Sequence, residues 1–375
     1  MEELGNELEG LLVVSLEQAV AAPYCGLLLA DAGARVIKVE RPDGDFARGY
    51  DAGADGQSAI FAWLNRGKES VCLNLKDKQD LDVMRAMLRK ADVFLSNLAP
   101  GAVARLGLSG EALRKDNAGL ICVTLSGYGE DGNAATKKAY DFLVQGEAGV
   151  CSVTGTLDHP ARVGVSITDL STGLTAYSAV LRALIKRGIT KRGLDIKLSM
   201  FDVVADWMNM PLLQHRYAGG APERSGLQHS FVAPYGAFQC RDGKFILLSI
   251  QNNREFSVFC EHILNKSSLA SDPRFIQNPK RYANRAALDE IINAVFAGID
   301  QDALTLALDR VQIANAKLND VADLSTHPFL KNSVAQIGAT RVEMAALPIK
   351  SAGDGMVLVP ALGTHTNDIR EEFME

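Results

Sequence analysis

The chain has 375 residues and a formal net charge of −6, and 47% of its residues are hydrophobic, 22% charged and 6% aromatic. This length predicts two domains, and the composition is typical of a folded protein with a sizeable core. The negative charge and the few aromatic residues argue against a protein that binds nucleic acid by neutralising phosphates or stacking on bases. We therefore expect no nucleic-acid partner.

The cysteines and the N-terminal segment indicate a cytoplasmic location. The chain has six scattered cysteines, none of them in a CxxC pair, which is typical of reduced thiols. No basic segment precedes an apolar one near the N-terminus, and Asp31 interrupts the most apolar early run, residues 24–32. We therefore expect a cytoplasmic protein with no membrane partner.

Over the first 200 residues or so, apolar β-branched runs alternate with segments of helical periodicity. This pattern predicts a doubly wound α/β domain with a parallel sheet that is covered on both faces. The predicted strands are residues 11–16, 36–40, 70–75, 93–97 and 120–126, and the predicted helices between them are residues 23–33, 78–91 and 110–117.

The composition changes to Gly, Pro and mixed charges around residues 211–226, which predicts a linker into a second domain. That smaller α+β domain begins with strands at 235–240 and 244–250 and continues with helices at 254–264, 284–297 and 301–311. From residue 342 onward no strong periodicity is present until a helix at 367–374. We therefore predict a large domain over residues 1–210, and a linker with the small domain over 211–334.

Asp169 is the most informative residue of the chain, because it is a lone carboxylate at the start of a predicted amphipathic helix. The unpaired N–H groups in the first turn of a helix stabilise an anion, so Asp169 is a candidate nucleophile. An ordinary aspartate at a helix N-cap is the alternative interpretation. The apolar residues that recur behind it at helical spacing are Leu170, Leu174, Tyr177, Leu181 and Leu184.

Other motifs narrow the chemistry. The segment after the first strand, residues 17–23, lacks the glycines of a dinucleotide fingerprint, which argues against nicotinamide chemistry. The histidines have no ligand-like spacing and no G-x-S-x-G occurs, so we expect neither a metal site nor a serine hydrolase. Asn97, which ends a predicted strand, is interpreted either as a ligand-binding amide or as a residue that satisfies turn backbone. Cations near strand ends are candidates to bind a phosphorylated ligand.

Six segments of the chain have a distinctive order and spacing. They are residues 8–23, 33–42, 65–68, 97–107, 139–155 and 168–169. Together they resemble the family III CoA-transferases, a family that includes formyl-CoA transferase, carnitine CoA-transferase and α-methylacyl-CoA racemase, and the resemblance covers nearly the whole chain. It implies a coenzyme A thioester as substrate without a permanently bound cofactor, an interlocked homodimer, and a Rossmann-like large domain that the C-terminal residues 335–375 complete.

The resemblance also implies roles for individual residues. In the family's transferases an aspartate before a helix is the covalent nucleophile, and Asp169 occupies that position. Tyr140 is expected to contribute a hydroxyl beside it. The residues implied to line the CoA site are Arg41, Asn97, Leu98, Arg105 and Lys138, with Ala19 and Val20 near the thioester. Lys68, one of the cations of the first 140 residues, is a further candidate for this site.

Two departures from the family pattern affect the expected reaction. A glutamine that positions reacting groups in formyl-CoA transferase aligns with Val20 here, which argues against oxalate as a substrate. Racemase members carry a histidine at the position of Tyr140, and a tyrosine with a pKa of about 10 is a poor acid/base group for racemisation. A transferase is therefore the favoured interpretation, and an acyl-CoA racemase or isomerase and a non-catalytic acyl-CoA binder are the alternatives.

The expected reaction moves CoA from an acyl-CoA thioester to a carboxylate through an aspartyl anhydride and an aspartyl-CoA thioester on Asp169. Gln228 and His229 lie among cationic and hydrogen-bonding residues, so we expect them to bind the free carboxylate of a dicarboxylic acyl group of the succinyl, mesaconyl or itaconyl kind. The alternative interpretation of this region is a linker with solvated charges.

Overall fold

The computed structural model of the protein describes residues 4–349 and 356–374. The strands are β1 (Leu12–Leu16), β2 (Arg35–Glu40), β3 (Glu69–Cys72), β4 (Val93–Ser96), β5 (Ile121–Ser126), β6 (Asp195–Ser199), β7 (Tyr235–Gln239), β8 (Phe245–Ser249), β9 (Ala314–Lys317), β10 (Asn332–Ile337), β11 (Thr340–Ala345) and β12 (Val357–Val359). The helices are α1 (Ala21–Asp31), α2 (Ala59–Asn65), α3 (Lys78–Lys90), α4 (Ala102–Arg105), α5 (Gly110–Leu113), α6 (Asp141–Glu147), α7 (Val150–Val153), α8 (Ile167–Thr190), α9 (Met200–Trp207), α10 (Asn209–Tyr217), α11 (Asn253–His262), α12 (Asn278–Ala283), α13 (Arg285–Phe296), α14 (Gln301–Arg310), α15 (Val321–Ser325) and α16 (Thr366–Met374). Short 3₁₀-helices occupy Phe46–Gly49, Gly132–Thr136 and Ser267–Ser271.

The chain forms two compact units. The first contains the chain up to Val150, Arg162–Met210 and the chain from Lys331 on, and the second contains Cys151–Ala161 and Pro211–Leu330. Residues 151–161, which the sequence analysis assigned to the large domain, group with the second unit because Arg224 attaches them to the linker. Its guanidinium donates to the carbonyl oxygens of Thr156 and Leu157 at 2.8 and 2.7 Å.

The first unit contains a six-stranded, wholly parallel sheet of order β3-β2-β1-β4-β5-β6. The predicted α/β class is thereby confirmed. The strand order reverses between β1 and β4, and in open α/β sheets a crevice for ligands forms beyond the carboxyl ends of the strands at such a point. The segments that follow Leu16, Ser96 and Ser126 are therefore expected to line a ligand site.

Both faces of this sheet are buried, which explains why its central strands are almost continuously apolar. On one face, α3 and α16 pack against Val14, Ile37 and Phe94. On the other face, α1 and α8 pack against side chains such as Val93 and Val123. Each fully buried apolar side chain of this kind contributes roughly 1.5–3 kcal/mol to folding.

The structure corrects several predicted elements. The strand predicted at 70–75 ends at Cys72, and the helix predicted at 110–117 ends at Leu113. This helix stops early because the Asn117 side-chain amide donates to the carbonyl oxygens of Leu88 and Ala91, at 3.1 and 2.7 Å, in a turn. The edge strand β6 and the small sheet β11-β10-β12 were not predicted.

The second unit has the predicted α+β character. Its antiparallel sheet β7-β8-β9 packs with α11, α13 and α14 around one apolar core that includes Phe259, Leu288 and Phe296. Among the described residues, no single helix has the length and apolar character to cross a membrane, and α13 with α14 meets that test only as a pair bent by 111°. Leu288, Ile292 and Phe296 of α13 and Leu304 and Leu308 of α14 are buried in the core of this unit.

Candidate active site

A pocket of about 580 Å³ lies at the carboxyl ends of β1, β4 and β5, where the strand order reverses. It belongs entirely to the first unit. The segments that follow the three strands contribute Gln18, Asn97 and Gly127, and the first turn of α8 contributes Asp169. The remaining lining residues are Ala19, Ala21, Phe46, Tyr50, Leu98, Ala99, Pro100, Leu125, Ser126, Ala135, Thr136, Lys137, Lys138, Ala139, Tyr140, Asp141 and Met200.

Asp169 lies in the first turn of α8, which begins at Ile167. The N-cap residue is Ser166, so the alternative interpretation of Asp169 as an N-cap is wrong. Close packing of two helices brings this turn to the pocket: a Cβ atom on Gly173 of α8 would lie 2.5 Å from the carbonyl oxygen of Ala21 in α1. Only glycine allows this approach, and Ala21 and Asp169 line the same pocket as a result.

Burial, and next the negative charge of Asp141, raise the pKa of Asp169 from 3.8 to about 7. The N–H groups in the first turn of α8 favour the ionised carboxylate, whereas burial favours its protonated form. Asp169 is therefore about half ionised near neutral pH, a poise that is common for groups with a chemical role.

Asp141, the buried first residue of α6, connects that helix to the start of α8. Its carboxylate accepts hydrogen bonds from the backbone N–H of Thr168 at 2.9 Å, from the Thr168 hydroxyl, and from Gln145 Nε2 at 2.8 Å. Because Thr168 immediately precedes Asp169, these bonds fix the turn that carries the candidate nucleophile. Sequence analysis assigned Asp141 no role of its own.

Two tyrosines line the pocket together with Asp169. Tyr140 precedes α6 and is 66% exposed, so its hydroxyl is accessible to a bound molecule. Tyr50 follows the 3₁₀-helix Phe46–Gly49, and sequence analysis missed both Tyr50 and Phe46. Burial, followed by the charges of Asp45 and Asp169, raises the pKa of Tyr50 to about 12, so its phenol remains a hydrogen-bond donor at neutral pH.

Asn97 and Leu98 line the pocket as predicted, but the Asn97 side chain is already bonded to backbone. Its Nδ2 donates to the Gln18 carbonyl oxygen at 2.8 Å, and its Oδ1 accepts from the Gln18 N–H at 2.9 Å. Of the two interpretations offered for Asn97, this geometry favours the one in which it satisfies turn backbone.

Ala19, which follows Gln18 in the chain, has a φ of +65°, a left-handed conformation that is uncommon for residues other than glycine.

The residues predicted to bind CoA are not all brought together. Of the cations, Lys138 lines the pocket, whereas Arg41, Lys68 and Arg105 are not among the described residues that line it, and neither is Val20. Lys68 is fully buried, and its ammonium donates to Glu17 Oε1 at 2.5 Å and to the Pro23 carbonyl oxygen at 2.9 Å. The placement of Lys68 at a ligand site is thereby corrected, because its charge is enclosed within the fold.

Gln228 and His229 lie in the second unit, where their side chains have partners of their own. Gln228 donates to Asp289 at 3.0 Å and accepts from Arg285 at 3.2 Å, and the His229 ring stacks on Tyr235 with centroids 4.8 Å apart. Burial, followed by the charge of Arg285, lowers the pKa of His229, so its imidazole is neutral at neutral pH.

Within the part of the chain that the structure describes, no group of three or more His, Cys, Asp or Glu side chains has the geometry to hold a metal ion. All six cysteines are free thiols. Burial raises the pKa of Cys122 to about 12, and its thiol is therefore protonated. The titratable groups that meet in the pocket are thus carboxyl groups, phenols and ammonium groups, which is a set suited to acyl chemistry on oxygen.

Comparison with known proteins identifies the family. The model of CoA-transferase family III matches residues 8–366. The chain is 35% identical to an acetyl-CoA:oxalate CoA-transferase of Acetobacter aceti, over 92% of this chain and 89% of that protein, and 33% identical to a succinyl-CoA:glutarate CoA-transferase of Mus musculus, over 77% and 67%. A CAIB/BAIF family protein from Brucella suis has a similar structure, with a TM-score of 0.85 and 31% identity over 98% of this chain and 100% of that one. The chain therefore belongs to CoA-transferase family III and is an enzyme of that type.

Proposed function

We propose that the protein transfers CoA from an acyl-CoA thioester to a dicarboxylic acid through a covalent intermediate on Asp169. The observation that carries this proposal is the position of the Asp169 carboxyl group, in the first turn of α8 and in the wall of a pocket at the carboxyl ends of the sheet. The pocket volume, about 580 Å³, suits the acyl group and the pantetheine end of a CoA thioester.

In the proposed reaction the ionised Asp169 attacks the thioester carbonyl carbon and CoA leaves as a thiolate, which forms an aspartyl anhydride. The thiolate then attacks the aspartyl carbonyl, so the donor leaves as a free carboxylate and Asp169 carries CoA as a thioester. The acceptor carboxylate attacks the carbonyl carbon of this thioester and expels CoA as a thiolate, which leaves a second anhydride on Asp169. The thiolate then attacks the acceptor carbonyl carbon of that anhydride, so the acceptor leaves as a CoA thioester and Asp169 is left as the free carboxylate. One thioester replaces another, so the overall exchange needs no added source of energy.

The raised pKa of Asp169 supports the assignment as nucleophile. A carboxylate whose conjugate acid has a pKa of about 7 is more basic than an exposed aspartate, and desolvation also makes it more reactive towards a carbonyl carbon. The first-turn N–H groups of α8 favour the anion that attacks. Tyr140 and Tyr50, whose phenol groups line the same pocket, are proposed to orient the reacting carboxylates.

Within the same proposal, Lys138, Arg41 and Arg105 bind the phosphates of CoA, while Ala19, Val20 and Leu98 lie near its thioester. Lys138 already lines the pocket. Arg41 Nε donates to the Gly44 carbonyl oxygen at 2.9 Å, which leaves its terminal nitrogens to a phosphate. This binding mode agrees with the strand order 3-2-1-4-5-6, which is the order of Rossmann-like folds and supports that finer class for the first unit.

The dicarboxylate specificity rests on the names of relatives and on the second unit. Oxalate, glutarate and the succinyl group in the relatives' names are dicarboxylic, whereas the acetyl group of the donor in the first name is monocarboxylic. We keep Gln228 and His229 as proposed contacts for a carboxylate, with the guanidinium of Arg285 beside Gln228 as the positive charge. Val20, at the position of a glutamine in formyl-CoA transferase, argues against oxalate as a substrate. Because oxalate occurs in the name of the relative from Acetobacter aceti, we include it among the acceptors to be tested.

The test is a screen of acyl-CoA donors against carboxylic acids with mass-spectrometric detection of the new thioester. We expect dicarboxylic acceptors to exceed monocarboxylic acids of the same chain length. Neutral monocarboxylic acyl groups that outperform every dicarboxylate would contradict the specificity. A folded Asp169→Ala variant that transfers CoA at the wild-type rate would contradict the mechanism, and inversion of a 2-methylacyl-CoA without an acceptor would favour the racemase alternative.

We further propose that the protein is an interlocked homodimer of the cytoplasm. Apolar side chains on the outside of the first unit support association, since Leu174, Ile185 and Ile189 of α8 and Trp207 of α9 are all exposed, Ile189 by 80%. A monomeric mass by light scattering across a range of protein concentrations would contradict the dimer. Fractionation of cells with an antibody against the protein would test the location.

A further inference from the structure

Three residues that follow β1, Glu17, Gln18 and Ala19, have their backbone held by side chains from elsewhere in the first unit. The Asn97 amide binds both polar backbone groups of Gln18. The Lys38 ammonium lies 3.4 Å from the carbonyl oxygen of Glu17. The backbone N–H of Ala19 donates to Asp45 Oδ1 at 3.2 Å. Ala19 is thereby kept in its left-handed conformation in the wall of the pocket.

Asp45 acts on two walls of the pocket at once. The same oxygen, Oδ1, also accepts from the N–H of Ala47 at 3.0 Å and caps the 3₁₀-helix that brings Phe46 and Tyr50 to the pocket. Its other oxygen, Oδ2, accepts from Lys38 at 2.8 Å. One buried carboxylate therefore sets the distance between the wall that contains Ala19 and the wall that contains Phe46.

The charges that orient this carboxylate are enclosed within the fold. The Lys38 side chain is fully buried between Asp45 and Glu17, and Lys68 is fully buried on the other side of Glu17. A buried network of this kind adds little stability compared with apolar side chains of the same volume. The network instead fixes the orientation of the Asp45 carboxylate, because a hydrogen bond from an ammonium group to one carboxylate oxygen holds the other oxygen in one place.

We propose that Asp45, oriented by Lys38, is a positioning residue that aligns the Ala19 wall with the nucleophile Asp169. The inference rests on the proposed transferase reaction, because alignment matters only if a thioester carbonyl is presented to Asp169. The start of α1 follows Ala19 directly, so a change at Ala19 also moves the first-turn N–H groups of that helix relative to Asp169. Misplacement by about 1 Å lowers a rate about 100-fold while binding changes little.

The test compares two double variants that both lack the buried ion pair. Lys38→Met/Asp45→Asn keeps an acceptor oxygen for the N–H groups of Ala19 and Ala47, whereas Lys38→Met/Asp45→Leu removes it. We expect kcat of the second variant to be about 100-fold below that of the first, with KM for acyl-CoA within about threefold. Two kcat values within about threefold of each other, or a loss confined to KM, would overturn the proposal.

Rescue and folding controls complete the experiment. Ala19→Gly added to Lys38→Met/Asp45→Leu is expected to recover kcat about tenfold, because glycine takes the left-handed conformation without being held there. No recovery would overturn the role assigned to Ala19. If the leucine variant does not fold, Lys38→Met/Asp45→Ala removes the same acceptor. The proposed function and the role of Asp45 fail by different results. An absent Asp169 adduct in the wild type would contradict the proposed function, whereas equal kcat values of the two double variants in CoA transfer would contradict the role of Asp45 alone.

Discussion

Asp169→Asn is expected to stabilise the protein, and to do so more at high pH than at low pH. Burial raises the pKa of Asp169 from 3.8 to about 7, so the folded state binds this proton more tightly than the unfolded chain. The stability contributed by the protonated group is therefore complete below about pH 4 and is lost as pH rises towards about 7. The asparagine variant has no such proton to lose.

The magnitude follows from the two pKa values. The raised pKa of Asp169 lowers the free energy of unfolding by about 4 kcal/mol at about pH 8. At about pH 5 it lowers the free energy of unfolding by only about 2 kcal/mol, because most of the folded molecules still hold the proton there. The variant is thus expected to exceed the wild type in free energy of unfolding by these amounts. The difference between the two conditions, about 2–3 kcal/mol, is independent of any packing change caused by asparagine.

Urea unfolding of both proteins at the two pH values, at one protein concentration, measures this difference. Asp302→Asn is a matched control, because the pKa of the exposed Asp302 is lowered by its hydrogen bond from Lys317 Nζ at 2.6 Å. That variant should gain no stability as pH rises. An Asp169→Asn protein whose advantage is equal at both pH values, or which is less stable than the wild type at high pH, would refute the argument from burial.

Three further predictions follow from the same geometry. Asp141→Asn removes the charge beside Asp169 and lowers the pKa of that carboxyl, so the acid limb of the pH profile of kcat/KM should move to lower pH; an unmoved limb would contradict this. Gly173→Ala should destabilise the protein by about 1–3 kcal/mol in urea unfolding because its Cβ meets a backbone carbonyl oxygen of α1, whereas Gly188→Ala in the same helix, with open space around it, should be neutral or stabilising. Lys138→Ala should raise KM for acyl-CoA about tenfold with little change in kcat, and the effect should shrink at about 0.5 M salt; an unchanged KM would remove Lys138 from the phosphate site.

The parts of the fold that could be predicted from the sequence are those buried on both sides. The strands β1, β4 and β5 are short and mostly apolar, and β2 has Val36, Ile37 and Val39 around the buried Lys38, which is typical of strands buried on both faces. The edge strand β6 was missed because Asp195 and Lys197 interrupt its pattern, and each has an ion-pair partner outside the strand. The strands β10–β12 were missed although β11 alternates, because their core comes from residues that are distant in the chain, such as Ala47 and Phe61.

Some residues of the candidate site could likewise be predicted from the sequence, and others could not. Asp169 could be found from its own neighbourhood, since a carboxylate ahead of an amphipathic helix is a local pattern. Tyr50 and Asp45 could not, because their positions depend on which loops the sheet brings together. Lys68, which directly precedes β3, was assigned to a ligand site because a lysine is usually accessible, and only the structure shows that it is enclosed with Glu17.

The central claim is that Asp169 becomes covalently attached to substrate. The most direct test is to mix the protein with an acyl-CoA, trap with hydroxylamine or borohydride, and map the modified peptide by mass spectrometry. We predict a modification on Asp169 that depends on the acyl-CoA and is absent from Asp169→Asn. Turnover without any modification of Asp169, or with the label on another residue, would contradict the account.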